Sequence, residues 1–243
     1  MKALVLAAGF GTRLGALTKT TPKCLVEIAP GMPMLEVVLQ RIESLGVREI
    51  VVNTHYLADK VTDYLASRKS KATIHISHEP MILETGGGML QAKKYLQGED
   101  FIVHNGDIYS TFDLEGMVEE HRKSDALVTL ATLPADSDRP LIVDHEGRLI
   151  GWRNKKTKEE VTTRALAVGE TTAEKQFTGV SIYKDEIFKT LEGRGEVFSI
   201  VPVWLDAARA GQRVATAEMK GEWVDIGTPH ELERARAIYQ SLV

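Results

Sequence analysis

"LAAGFGTRL" occupies residues 6–14. An apolar run stops at Gly9 and Gly11, which are followed at once by Thr12 and Arg13. A strand that feeds a glycine turn can present backbone N–H groups to an anion, because no Cβ stands in the way. A dinucleotide fingerprint needs Gly-x-Gly-x-x-Gly, but the third glycine here is Gly15, one position late. The nucleotide phosphate loop ending in Gly-Lys-Ser/Thr is also missing. Taken alone, the stretch is equally well a plain structural turn. Its neighbours change that weighting. "TPK" (Thr21, Pro22, Lys23) follows, so Arg13 and Lys23 bring two cations to one loop. Arginine offers a flat fork and lysine a compact point charge, so the pair can serve different oxygens of a triphosphate.

Working outward, the first half alternates strand and helix signals. "KALVLAA" is apolar on successive residues, as a strand buried on both faces reads. "PMLEVVLQRIESLG" carries a helical apolar stripe at Met34, Val37, Val38, Ile42 and Leu45. "EIVVN", "TIHIS", "DFIVHNGD" and "ALVTLAT" read as further strands with helical patterns between them. Such strand–helix–strand units predict an α/β fold with a doubly wound, mostly parallel sheet, which binds ligands beyond its strands' carboxyl ends. From Ser137 to Tyr183 short strand-like pieces flank a polar stretch, expected to be a small β-rich insertion or lid over the sheet. "EWVDIGTPHELERARAIYQSL" predicts a strand, a turn and a helix opened by Thr228, Pro229 and Glu231.

Bulk properties narrow the classes. A chain of 243 residues can bury roughly 70–75% of its unfolded surface, enough for a built site. With 34 acidic and 30 basic residues the formal charge is −4, which argues against a nucleic-acid or membrane-surface partner. A single cysteine, Cys24, excludes an internal disulfide and fits a reducing, cytoplasmic setting. No apolar run has the length of a secretory core or a membrane span.

The stretch "LAAGFGTRLGALTKTTPKCLVEI" resembles the signature of the sugar-1-phosphate nucleotidyltransferases. "ETGGG" (84–88), "NGD" (105–107), "FTGVSIY" (177–183) and "WVDIGTP" (223–229) follow in the family's order, so the resemblance spans nearly the whole chain. One departure is Ala16, where the family usually has proline; it removes no charged group. "ETGGG" and "NGD" are most similar to the branch acting on N-acetylmuramate 1-phosphate with UTP, an activity of cell-wall recycling. Guanylyltransferases for mannose or heptose 1-phosphate are close relatives.

The resemblance implies a Rossmann-like nucleotidyltransferase fold in a single domain over 1–243, with a nucleotide-binding half (1–135) and a sugar-binding half (136–243). It implies attack by a sugar-1-phosphate oxygen on the α-phosphorus of a nucleoside triphosphate, with release of pyrophosphate. Arg13 and Lys23 are then the catalytic cations, the first toward the triphosphate and pyrophosphate, the second toward the α-phosphate and incoming sugar phosphate. Ala8, Gly9, Gly11, Thr12, Glu79, Gly86 and Gly87 join them in binding nucleotide, the latter glycines reading a pyrimidine edge through backbone groups. Asn105, Glu84 and Gly179 fall on the sugar side, with helix capping an equal alternative for Glu84 and turn stabilisation for Asn105. Asp107 and Asp225 are expected to hold Mg²⁺, since a divalent cation removes the conflict between neighbouring carboxylates.

Other features carry less. His75 and His78 sit on a strand pattern pointing to opposite faces, and the histidines lack zinc spacing. Cys24 reads as packing. Two rivals share the opening: a dinucleotide-dependent oxidoreductase, disfavoured by the misplaced glycine, and a nucleotide-sensing subunit without catalysis, disfavoured because lysine and both aspartates are present.

Overall fold

A computed structural model describes residues 1–242. The first half lays down β1 (Lys2–Leu6), β2 (Glu27–Ala29), β3 (Met32–Pro33), α1 (Met34–Ser44), β4 (Glu49–Thr54), α2 (Ala58–Ser67) and β5 (Thr73–His78). There follow α3 (Glu84–Gln91), α4 (Lys93–Leu96), β6 (Phe101–Asn105), β7 (Ile108–Ser110), α5 (Leu114–Lys123) and β8 (Val128–Pro134). The second half contributes β9 (Leu141–Val143), β10 (Leu149–Asn154), β11 (Glu159–Thr162) and β12 (Ala173–Tyr183). It closes with α6 (Phe188–Leu191), α7 (Ile200–Arg209), β13 (Val214–Glu218), β14 (Trp223–Asp225) and α8 (Pro229–Leu242).

At the centre β5, β4, β1 and β6 run parallel, in that order. β12 runs against β6 and carries β8, which in turn pairs in parallel with β13. The period of two sends alternate residues of each strand to opposite faces. Ala3 and Val5 enter a core with α1, α2, α5 and α8, while Leu4 enters another with α3, α4, α6 and α7. Helices therefore cover both faces, which is why the central strands read as continuous apolar runs.

The β-rich segment differs from the expected lid. β9, β10 and β11 extend the sheet edgewise through antiparallel pairing onto the first half of β12. The reason is strand length. β6 pairs only with Val180–Tyr183 of the 11-residue β12, leaving its earlier residues an open edge that β9 fills at Ala173–Lys175.

Helix α3 and a hydrogen-bond relay at its entry prepare the site. Gly86, Gly87 and Gly88 lie buried in α3. A Cβ on Gly86 would meet the Phe198 ring at 2.5 Å, on Gly87 the Glu196 carbonyl oxygen at 2.1 Å, and on Gly88 the Glu79 carboxylate at 2.6 Å. Their missing side chains let the helix dock against residues 196–198 and the end of β5. Beneath it runs a buried relay: Ala7 N–H donates to Asn53 Oδ1 (2.6 Å), and Asn53 Nδ2 donates to Glu79 Oε1 (2.7 Å). Leu83 N–H donates to Glu79 Oε2 (3.1 Å), so the turn after β1 is tied to the entry of α3.

On the far side of α1, Arg68 donates to Glu36 and to Glu43, each at 2.7 Å, with all three side chains largely buried. Its hydrogen bond holds the Glu43 carboxyl down to about 2, against the opposing pull of burial. A folded-state pKa below the ordinary 4.5 gives stability that is complete above that value and is lost as pH falls toward 2.

Two outcomes follow from these networks. Asn53→Ala strands one oxygen of a buried carboxylate and should lower the unfolding free energy by about 2–3 kcal/mol in urea melts; a loss under about 0.5 kcal/mol would show that the relay carries no stability. Arg68→Ala should cost about 3 kcal/mol at neutral pH and flatten the fall in stability on acidification. Parallel acid-side slopes for variant and parent would refute the assignment of that fall to this cluster.

Candidate active site

The turn from β1 to a 3-10 segment (Thr12–Lys19) places Gly11 at φ +65°, a left-handed conformation that glycine adopts without strain. A Cβ there would lie 2.8 Å from Cβ of Lys23, so Gly11 gives the lysine stem its seat. Pro22 holds an extended backbone and hands the chain to a short 3-10 turn beginning at Lys23. The lysine side chain is 9% exposed.

Asp107 follows β6. Its turn is pinned where Gly106 N–H donates to the Leu6 carbonyl (2.8 Å), an approach a Cβ would obstruct at 2.9 Å. Asp225 is brought alongside by a small antiparallel ladder, β7 with β14, in which it pairs with Ile108. Ile226 N–H then donates to the Asp107 carbonyl at 3.1 Å. Lys23 Nζ lies between the two carboxylates, 2.5 Å from Asp107 Oδ2 and 3.0 Å from Asp225 Oδ1. Arg13 reaches the other oxygen of Asp225 at 3.4 Å with its side chain 65% exposed. Gly227 leaves room for that guanidinium, since a Cβ would meet Arg13 NH2 at 2.5 Å.

Two cavities flank this ion cluster. One of about 220 Å³ is lined by Ala8, Gly9, Asn53, Glu84, Asn105 and Asp107, among others. The other, about 530 Å³, is lined by Arg13, Trp223, Asp225, Glu231 and Arg234 among others. The ion cluster thus has one aspartate in each.

Of the residues singled out in the sequence, Ala8, Gly9, Arg13, Glu84, Asn105, Asp107 and Asp225 line these spaces, and Thr12 is exposed beside them. Glu84 caps nothing: it enters α3 at φ +59° with an exposed side chain at the first cavity. Four of the assigned residues are also engaged within the fold. Gly86 and Gly87 do not offer their amides to a base, because both N–H groups donate to the Phe198 carbonyl (3.0 and 3.2 Å). Glu79 borders the first cavity, with one oxygen accepting from Asn53 and the other from Leu83. Gly179 stands behind Asn105. It sits at φ +84°, where the pairing of β12 with β8 shifts register, and a Cβ would come within 2.8 Å of Asn105 Nδ2.

Other contributors carried no sequence signal as site residues. Asn53 is such a case, as is His104, buried beneath the turn. Its Nδ1 lies 2.7 Å from the Asn105 carbonyl, which can only accept, so Nδ1 carries the proton. Burial holds this imidazole down to about 4, keeping it neutral near pH 7. Cys24 is buried in the core, its thiol pushed up to about 12 by burial and by the Asp107 charge, which leaves it inert as a nucleophile.

Asp107 and Asp225 form a pair; among the described residues no group of three or more His, Cys, Asp or Glu side chains could hold a metal ion. No helix among them is long and apolar enough to cross a membrane.

With the geometry in hand, likeness to known proteins becomes informative. The family model described as nucleotidyl transferase matches residues 2–241. An N-acetylmuramate alpha-1-phosphate uridylyltransferase of Neisseria meningitidis is 32% identical over 247 aligned positions, covering 98% of each chain. The protein of that name from Caulobacter vibrioides is 33% identical, with 97% of this chain and 95% of the relative covered. Among solved structures, HddC from Yersinia pseudotuberculosis superposes with a TM-score of 0.74 at 25% identity, over 98% and 99% of the two chains. A match reaching from the first strand into the last helix takes in the glycine turn, the lysine and both aspartates, and so the chain belongs to the nucleotidyl transferase family.

Proposed function

We propose that the protein transfers a uridylyl group from UTP to N-acetylmuramate 1-phosphate and releases pyrophosphate. The observation that carries a polyphosphate reaction is the convergence of Lys23, Arg13, Asp107 and Asp225 between two cavities at the carboxyl ends of β1 and β6. The choice of base and sugar rests on the two relatives of that name, each about one-third identical over nearly its full length.

An acceptor phosphate oxygen is already ionised, so no side chain needs to serve as nucleophile. The new P–O bond forms at the α-phosphorus as the bond to the β-phosphate oxygen breaks. Bringing two polyanions into line within about 3–3.5 Å is the main task, and fixed cations perform it. Lys23 takes the α-phosphate and the incoming phosphate. Arg13, half in the second cavity, takes the β- and γ-phosphates and the leaving pyrophosphate. Ala8, Gly9, Gly11 and Thr12 supply the turn along which the phosphates run. Asn105 and Glu84 hydrogen-bond sugar hydroxyls at the first cavity, and Gly179 keeps Asn105 in place.

The donor set at the cluster fits a divalent cation. Two partly exposed carboxylates converge on one ammonium, and Mg²⁺ prefers one or two carboxylates together with phosphate oxygens and water. Asp107 and Asp225 would hold Mg²⁺, which when bound neutralises phosphate charge. The reading is of an enzyme working in the cytoplasm on cell-wall sugar.

Pyrophosphate release measured for four nucleoside triphosphates against a panel of sugar 1-phosphates tests donor and acceptor together. Turnover should be greatest with UTP and N-acetylmuramate 1-phosphate. Greater turnover with GTP and mannose or heptose 1-phosphate would move the assignment to a guanylyltransferase, and silence in every combination would point to a nucleotide sensor. Lys23→Ala should lower kcat/KM by about 10³-fold, near 4 kcal/mol of transition-state stabilisation, with an unchanged circular-dichroism spectrum. Turnover within about threefold of the parent would take Lys23 out of the reaction.

A further inference from the structure

Lys23 makes contacts that its expected part in turnover does not require. Its Nζ donates to one oxygen of each aspartate, and its stem is wedged against Gly11. Arg13 takes a further oxygen of Asp225. The four side chains carry two negative and two positive charges, so the cluster is neutral without any bound ion. A dication approaching it gains no net Coulomb attraction, and it must compete for carboxylate oxygens already hydrogen-bonded to an ammonium. A nucleoside triphosphate changes both terms. It brings close to four negative charges, and its phosphates offer Lys23 and Arg13 alternative partners.

We propose that Lys23 is a built-in counter-ion that keeps the Asp107–Asp225 pair closed to free divalent cations, and that it releases the pair only when a nucleoside triphosphate accepts its ammonium. Metal and nucleotide are then coupled reciprocally, each raising the other's affinity through one shared side chain. The protein would not be charged with metal while idle, and its cation would arrive with the triphosphate. The inference rests on the reading of Asp107 and Asp225 as the metal-holding pair.

The test is binding of Mn²⁺ followed by electron paramagnetic resonance, at constant ionic strength, with and without α,β-methylene-UTP. Wild-type protein should bind Mn²⁺ weakly alone and tightly with the nucleotide. Lys23→Met should bind Mn²⁺ alone at least about tenfold more tightly than wild type, equivalent to about 1.4 kcal/mol. Adding Asp107→Asn to that variant should abolish the gain. Equal Mn²⁺ affinity for wild type and K23M, with nucleotide-dependent binding that D107N destroys, overturns the counter-ion while leaving the metal reading intact. Nucleotide-dependent Mn²⁺ binding that D107N and D225N leave untouched overturns the metal reading itself. Should K23M fail to fold, wild-type crystals soaked in Mn²⁺ without nucleotide decide the matter. No anomalous peak at the pair, with Lys23 still bridging, supports the proposal; a peak there overturns it.

Discussion

One ammonium group held between two carboxylates organises this molecule's working end. Lys23 comes from the 3-10 turn before β2, Asp107 from the turn after β6, and Asp225 from the end of β14. Like charges brought this close repel unless a cation lies between them, so the triad can exist only if all three segments arrive together. The fold supplies that arrival by backbone means. Gly106 is tied to Leu6, and the β7–β14 ladder sets Asp225 beside Asp107. Neither depends on the charges, so the frame can hold the aspartates in place when the lysine turns to another partner.

The glycines divide into two physical kinds. Gly11 is required for its left-handed backbone and for the room it leaves to Lys23, whereas Gly86, Gly87 and Gly88 are required only for close packing. The second kind fixes α3 against residues 196–198, and the relay through Asn53 and Glu79 fixes the entry of α3 against the turn at Ala7. The walls of the first cavity are therefore set by buried hydrogen bonds and backbone contact, which leaves Glu84 and Asn105 to face the space between them.

Much of this was legible in the chain. Continuous apolar runs flanked by helical stripes revealed the parallel strands, because a strand covered on both faces has no polar side to alternate with. The glycine turn, Lys23 and the two aspartates stood out through family-like motifs. What stayed hidden depends on contacts between distant segments. No local pattern distinguishes a glycine that meets a ligand from one that meets Phe198, so Gly86 and Gly87 read as base contacts. Glu79 looked like a free polar reader because Asn53, which occupies one of its oxygens, lies in another strand. The segment from Ser137 read as a lid because its strands are short and broken by polar residues. The open edge of β12 that recruits them is a property of the assembled sheet.

The open edge divides β12 into two stretches with different partners. β12 pairs through its last residues with β6, the strand leading to Asn105 and Asp107, and through its first residues with β9. Between these two stretches its register with β8 shifts around Gly179, which backs Asn105. Trp223, two residues before Asp225, donates to the Thr178 carbonyl in the same stretch (2.9 Å). The irregular middle of β12 thus separates a regular half locked to the strand that leads to Asp107 from a regular half that carries the outer hairpin. Changes in β9–β11 can shift that outer hairpin while the pairing of β12 with β6 stays as it is. A bulge absorbs displacement that an unbroken ladder would transmit. The outer hairpin can therefore vary without disturbing the ion cluster beyond the carboxyl ends of β1 and β6.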